Sequence, residues 1–223
     1  MQKFILPVIL SVFTLSNTAH AELERRGPSL TAKVGTSGLG AEVTYGLNEL
    51  VRIRAGAYGF AAGVDTSTDD FDYDLDLRLL SGGGYVDLHP FKGRFRFTGG
   101  FVYNGNRLDA TGTVNGEFVS GNNTFTAAEI GELEGRIDFN DFAPYAGIGW
   151  GSPFKKGSNW AFEADIGVIF QGAPEVSLQS VGGSRSNDQL LIDAVQGEED
   201  ELQDELDFFQ YYPIISVGVA YTF

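Results

Sequence analysis

The sequence predicts an all-β fold: an eight-stranded antiparallel transmembrane β-barrel with short periplasmic turns and longer acidic extracellular loops. Three observations carry that expectation. They are an export leader, strands that alternate between apolar and polar residues, and a closing strand that ends on an aromatic residue. The leader opens with Met1-Gln2-Lys3, runs through apolar residues from Phe4 to Leu15, and ends at the small-x-small triplet Ala19-His20-Ala21. That order is a secretory signal, and the run is too short for a spanning helix of about 20 residues. Residues 1–21 are expected to be cleaved, leaving 22–223 as one outer-membrane barrel domain.

Composition narrows the function classes. Cysteine is absent, so neither disulfides nor thiolate metal sites hold this fold. Losing Lys3 with the leader leaves 14 basic against 30 acidic side chains. That balance excludes nucleic acid as a partner, because phosphates demand a basic surface. The acid excess does not signal disorder when 43% of residues are hydrophobic and 13% aromatic.

The alternation has the period of two that marks a two-faced strand. Leu39, Ala41, Val43 and Tyr45 alternate with Gly40, Glu42 and Thr44; Val51, Ile53, Ala55 and Ala57 alternate with Arg52, Arg54, Gly56 and Tyr58. Phe95, Phe97, Phe101 and Tyr103 alternate with Arg94, Arg96, Thr98 and Asn104. Trp160, Phe162, Ala164, Ile166, Val168 and Phe170 alternate with Glu163, Asp165, Gly167 and Gln171. A soluble sandwich and a membrane barrel share this signal with opposite faces wet. Aromatics near strand ends and connections that alternate between short and long favour the barrel. Eight strands follow, at about 29–36, 38–46, 50–60, 75–88, 94–104, 136–150, 160–178 and 208–223, within the ±2–4 residues usual for such boundaries. The stretches 61–74, 105–135 and 179–207 are left as long polar loops. Gly82-Gly83-Gly84 suggests a bulge or a close backbone approach.

The last strand carries Ile215, Val217, Val219, Tyr221 and Phe223 on one face. A terminal aromatic closing such a pattern resembles the sorting signal read by the outer-membrane assembly machinery. Physically it is an amphipathic edge that β-augmentation can capture.

Three blocks go beyond a generic barrel: Gly35-Thr36-Ser37-Gly38-Leu39-Gly40-Ala41, the run from Asp141 through Pro144-Tyr145 to Trp150, and Asn159 through Glu163 to Gly167 with Gln171-Gly172-Ala173-Pro174 behind it. Together they resemble the carbapenem-associated outer-membrane protein family (CarO), and more distantly the small barrels related to it. The resemblance is densest from Asp141 to Leu178 and does not extend to 61–74 or 105–135. It implies an eight-stranded barrel without a wide pore, associated with passage of ornithine and other basic amino acids. Small basic amino acids, outer-membrane lipid, lipopolysaccharide and the assembly machinery are the partners it suggests.

With apolar faces toward lipid, Glu42, Arg52, Arg54, Arg94, Arg96, Asp141, Glu163 and Asp165 are expected inside. Eight strands enclose space for side chains or one small ligand, and charges there must pair or hydrate. Two readings stand: a structural ion-pair plug, or a gate of switching pairs that passes small cations. Outside, Asp65, Asp69, Asp70, Asp72, Asp74 and Asp76 crowd one loop, and Glu198, Glu199, Asp200 and Glu201 another. Such runs are solvated faces, funnels that concentrate basic solutes, or bridges through divalent cations to lipopolysaccharide. EF-hand spacing is missing, so no dedicated metal or cofactor is expected. Leu190, Leu191, Ala194 and Val195, then Leu202 and Leu206, space as a short amphipathic helix.

Catalysis has little to stand on. His89 is the single histidine left after cleavage, it precedes Pro90 in a turn, and no serine has a nucleophile's context. Two functions of different class remain: a narrow channel for small basic solutes such as ornithine, and a non-conducting barrel with an envelope-structural or adhesive role through its acidic loops.

Overall fold

In the computed structural model, which describes residues 27–67, 71–114, 116–120, 123–154 and 158–223, the alternating segments become antiparallel strands. In chain order they are β1 (Pro28–Gly35), β2 (Gly38–Gly46), β3 (Val51–Ser67), β4 (Phe71–Leu88), β5 (Phe95–Asn104), β6 (Arg107–Val114), β7 (Glu117–Ser120) and β8 (Asn123–Thr126). A single helical turn, α1 (Ala127–Ile130), leads into β9 (Gly131–Asp138), β10 (Phe142–Trp150), β11 (Trp160–Phe170) and β12 (Glu175–Gly182). Helix α2 (Gln189–Leu206) and a 3₁₀ turn (Asp207–Gln210) precede β13 (Tyr211–Thr222). Neither helix is long and apolar enough to cross a membrane.

Eight strands close a ring in the order β1-β2-β3-β4-β5-β10-β11-β13, with β13 returning to β1. Closure pairs the backbone of every ring strand on both sides, the condition for β-structure in lipid. The tight hairpin Thr36-Ser37 joins β1 to β2, and Gly38 enters it at φ +91°, a conformation that favours glycine. Side chains obey the pattern read from sequence. Val43, Ile53, Phe97, Phe162, Ile166, Ile215 and Val217 point out and are exposed, while Thr31, Lys33, Glu42, Thr44, Arg52, Arg54, Thr98, Glu163 and Asp165 point in and are buried. Aromatic rings form two belts. Trp160 packs on Tyr221 and Tyr221 on Phe223 at the end with short turns, and Tyr103 packs on Phe142 and Phe170 on Tyr211 at the other.

The segments 61–74 and 105–135 hold more strand than patterning predicts, and 179–207 holds the expected helix. Strand β3 runs on to Ser67 and β4 begins at Phe71, so most of 61–74 is hairpin rather than loop. The expected strand 136–150 is two strands, β9 and β10, and 160–178 is likewise β11 and β12. Alternation continues through both breaks because the added strands are also two-faced. A knot of amides marks the breaks instead. Asn104 Nδ2 donates to Gln171 Oε1 at 3.0 Å, Gln171 Nε2 to the Phe209 carbonyl at 2.9 Å, and Asn140 Nδ2 to the Gln171 carbonyl at 2.7 Å. The Gly82–Gly84 run has unbroken register against Ala55–Ala57, so it holds no bulge. The close backbone approach is there: a Cβ on Gly100 would meet the Gly84 carbonyl, and one on Gly83 would meet the Tyr85 ring.

Beyond the ring, the upper part of β4 pairs with β6, β6 with β9, and β9 with β12, which together with the upper part of β3 gives a second, five-stranded sheet. Its apolar face is covered over β9 and β12. Leu133 of β9 and Leu178 of β12 pack on Phe125, Ile130, Leu191, Ala194 and Val195, which places the amphipathic helix expected from Leu190–Leu206 over that face. Helix α2 also lies along the outer edge of β12, where Glu199 Oε2 accepts from the Leu178 amide at 2.7 Å and Gln203 Oε1 from the Val176 amide at 3.1 Å. Small barrels place their long connections outside the cell, so this sheet and helix form an extracellular module.

Cysteine labelling of intact cells is expected to modify Gln196→Cys on α2 and to spare Ser158→Cys in the turn before β11; the reverse pattern would invert this topology. Leu191→Ala, which empties a fully buried position, should cost the module about 2–5 kcal/mol. Hydrogen exchange is expected to rise across 123–138 and 175–206, with the barrel strands still protected.

Candidate functional site

The lumen is filled in layers. Its middle is ionic, and six of the eight ring strands supply one or two charges each at inward positions. Lys33 Nζ lies 2.6 Å from both Glu42 Oε2 and Asp165 Oδ2. Arg54 spans Glu42 at 2.8 Å, Asp87 at 3.3 Å and Asp165 at 3.6 Å, and Arg96 reaches Asp165 at 2.6 Å and Glu163 at 3.6 Å. Thr98 Oγ1 donates to Asp87 Oδ1 at 2.7 Å, and the Tyr58 hydroxyl donates to Glu42. With Arg52, four cations face four carboxylates, all of them buried. Opposite charges at this spacing offset a desolvation cost that either set alone would not survive.

Above this layer the rings of Tyr85 and Tyr145 meet edge to face, 5.2 Å between centres, and Arg54 stacks 5.0 Å from the centre of the Tyr85 ring. Val102, Ala143, Tyr145 and Ile169 pack with Tyr212 and Ile214 to complete an apolar cap. A small polar recess persists between Lys33, Glu42, Arg54, Tyr58 and Asp165, with a free volume of about 20 Å³. Below the ionic layer the turn after β10 folds inward, and the guanidinium of Arg52 lies 4.9 Å from the centre of the buried Phe154 ring. His89, in the turn beyond β4, is buried beside it. Burial first and the Arg52 guanidinium second push its pKa down to about 3, so the ring is neutral.

Of the eight charges expected inside, the structure brings Glu42, Arg52, Arg54, Arg96, Glu163 and Asp165 together in the lumen. Arg94 and Asp141 do not join them. Both are exposed, Arg94 one residue before β5 and Asp141 one residue before β10, because the alternation was extended past the ends of those strands. Lys33 and Asp87 were missed, although Leu30-Thr31-Ala32-Lys33-Val34 and Val86-Asp87-Leu88 alternate as clearly as their neighbours.

The acidic residues of the first long segment are strand residues. Asp72, Asp74 and Asp76 share one face of β4, with Asp65 directly opposite Asp74 and Asp109 directly opposite Asp76. Glu132, Glu134 and Asp138 of β9 and Glu175 of β12 extend the same face, relieved by Arg107 and Arg136, which both reach Asp109. Asp69 and Asp70 lie outside the described residues, as does the cleavage expected after Ala21. Glu198, Glu199, Asp200 and Glu201 sit on α2, where Asp200 and Glu201 are exposed and Glu199 caps β12. At the module's base Glu129 caps α1. Hydrogen bonding from the Thr126 amide holds its carboxyl below the usual range, and the Leu190 amide does the same for Asp188 at the start of α2.

A closed ring of eight amphipathic strands with a charged interior defines an outer-membrane β-barrel. Comparison makes the likeness more particular: the chain is similar to the crystal structures of CarO and CarO2 from Acinetobacter baumannii. CarO aligns at 24% identity over 90% of this chain and 100% of that one, and CarO2 at 23% over 88% and 98%, both with a TM-score of 0.57. At that identity the likeness establishes the fold. No family model matches the sequence, and no curated protein does.

Asp165→Asn removes the carboxylate on which Lys33, Arg54 and Arg96 converge. Breaking one member of a buried network is expected to cost about 3–5 kcal/mol, read as an earlier urea midpoint of the refolded barrel. The Glu129 and Asp188 shifts make a pH prediction. Carboxyls held low when folded stabilise above their unfolded values of about 4 and lose that contribution as pH falls through the folded ones. Exchange protection in α1 and the start of α2 should therefore fall between neutral and acidic pH, and fall less in a Glu129→Gln, Asp188→Asn variant.

Proposed function

We propose that this protein is a non-conducting outer-membrane barrel whose role is to anchor and present the extracellular module, with the acidic sheet face as its contact surface. One observation carries the reading: four buried cations matched to four buried carboxylates occupy the lumen, and the recess beside them has about 20 Å³ free. That is room for about one water molecule, far less than an amino acid. The module has its own apolar core and covered edge, features of a unit held in a fixed shape rather than a mobile gate. Its acidic face would steer basic partners toward the cell surface, an effect weakened by salt. Export through the leader and cleavage after Ala21 deliver such a protein, and the terminal strand from Ile215 to Phe223 is the address for its assembly.

The polar recess favours a second reading, passage of small basic solutes. Lys33 and Arg54 share Glu42 and Asp165 there, and an entering ornithine could exchange with either cation. Vesicle swelling separates the two. Vesicles holding the wild-type protein are expected to admit ornithine, arginine and lysine no faster than protein-free vesicles. Faster entry, suppressed by neutralising Glu42, would overturn the anchoring proposal and establish the channel.

A further inference from the structure

The base of the lumen holds an unusual concentration of unsatisfied polar atoms. Arg52 Nη2, Arg96 Nε, both ring nitrogens of His89, and the hydroxyls of Ser29, Thr44 and Ser152 are buried without a hydrogen-bond partner among the described residues. Buried polar groups are nearly always paired, so orphans gathered at one end of a fold point to something they bind. Register and the inward-folded residues after β10 set them around the base of the lumen. Ser29 lies directly opposite Thr44 on one side and Thr222 on the other, Thr44 lies opposite Arg54, and His89 follows the end of β4 beside Arg52 at the start of β3. Ser152 is carried in by the turn whose Gly151 carbonyl accepts from Arg96 at 3.2 Å, whose Pro153 carbonyl accepts from Thr222 Oγ1 at 2.5 Å, and whose Phe154 lies under Arg52.

The chemistry of the set is weighted toward donors. Two guanidinium N–H groups donate and cannot accept, three hydroxyls can turn to donate or accept, and neutral His89 donates through one nitrogen and accepts through the other. Arg52 differs from the other lumenal cations: Lys33, Arg54 and Arg96 each touch a carboxylate, whereas Arg52 makes no ion pair at contact distance among the described residues. A small anion accepts from the N–H and O–H groups of this set and lies in the local field of Arg52 and Arg96.

We propose that Arg52, His89 and the hydroxyls of Ser29, Thr44 and Ser152 form an internal site for a small inorganic anion of about the size of chloride. The site is independent of whether the lumen conducts. The buried Phe154 ring lies beside it, against the Arg52 guanidinium.

Bromide is the probe, used with the refolded full-length mature barrel. Anomalous scattering from crystals grown in bromide should give a peak between Arg52 and His89. The urea midpoint at fixed ionic strength should be higher in bromide than in gluconate, because a ligand bound only by the folded state stabilises it. That difference should be lost in Arg52→Gln. Should Arg52→Gln fail to fold, a Thr44→Val, Ser152→Ala variant keeps every charge and should lose the difference as well. Water alone at the position, or equal midpoints in the two salts, overturns the proposal. A peak in crystals without a midpoint difference marks an adventitious ion only and overturns it too.

Discussion

Charge neutrality inside a narrow ring is the constraint on which the rest of the lumen depends. A ring of eight strands leaves space for side chains and little else, so a charge placed there meets another side chain or stays unpaired at high cost. This chain meets the constraint by distributing its charges around the ring. Lys33 comes from β1, Glu42 from β2, Arg54 from β3, Asp87 from β4, Arg96 from β5, and Glu163 and Asp165 from β11. Glycines at inward positions such as Gly83, Gly100, Gly147 and Gly167 let the Tyr85 and Tyr145 rings lie flat against the wall above that layer. The interior is therefore a cross-brace, and its members lie on strands distant in sequence.

The second organising element is β4, which belongs to two sheets. Its residues Phe71–Arg78 pair with β6 and its residues Ser81–Leu88 with β5. The handover is fixed by the Leu80 carbonyl, which accepts from the Gly105 amide at 2.8 Å, and by the Leu80 amide, which donates to Asn106 Oδ1 at 3.0 Å. No flexible linker separates barrel from module at this point. The hydrogen-bonded ladder between β3 and β4 runs from Val51–Leu88 to Ser67–Asp72 without a break.

Much of the barrel was legible in the sequence, and the reason is physical. A strand between lipid and a filled lumen must alternate strictly, so Glu42, Arg54, Glu163 and Asp165 announce their direction through their neighbours. The module was less legible because its strands alternate for a different reason, with one face on α2 and the other in water. Periodicity does not distinguish lipid, helix and solvent as the partner of a face. Density of acid was read as loop, yet Asp72, Asp74 and Asp76 are held in register by β3 and β6 and sit there as the outward face of a sheet. The partnering of charges was also beyond sequence, since Arg54 and Asp165 meet only when β3 and β11 face each other across the closed ring.

The capping of β12 by α2 has a consequence for life at a crowded surface. A sheet that ends in an open strand is a template on which neighbouring molecules can polymerise. Here the amides of Val176 and Leu178 are already occupied by Gln203 and Glu199 of the same chain, and the occupant of the second carries a negative charge. A copy approaching that part of β12 finds these two amides taken and meets a like charge. The helix that completes the module's core thus also insulates its β12 edge, which leaves β3 beyond Gly59 as the open side of that sheet.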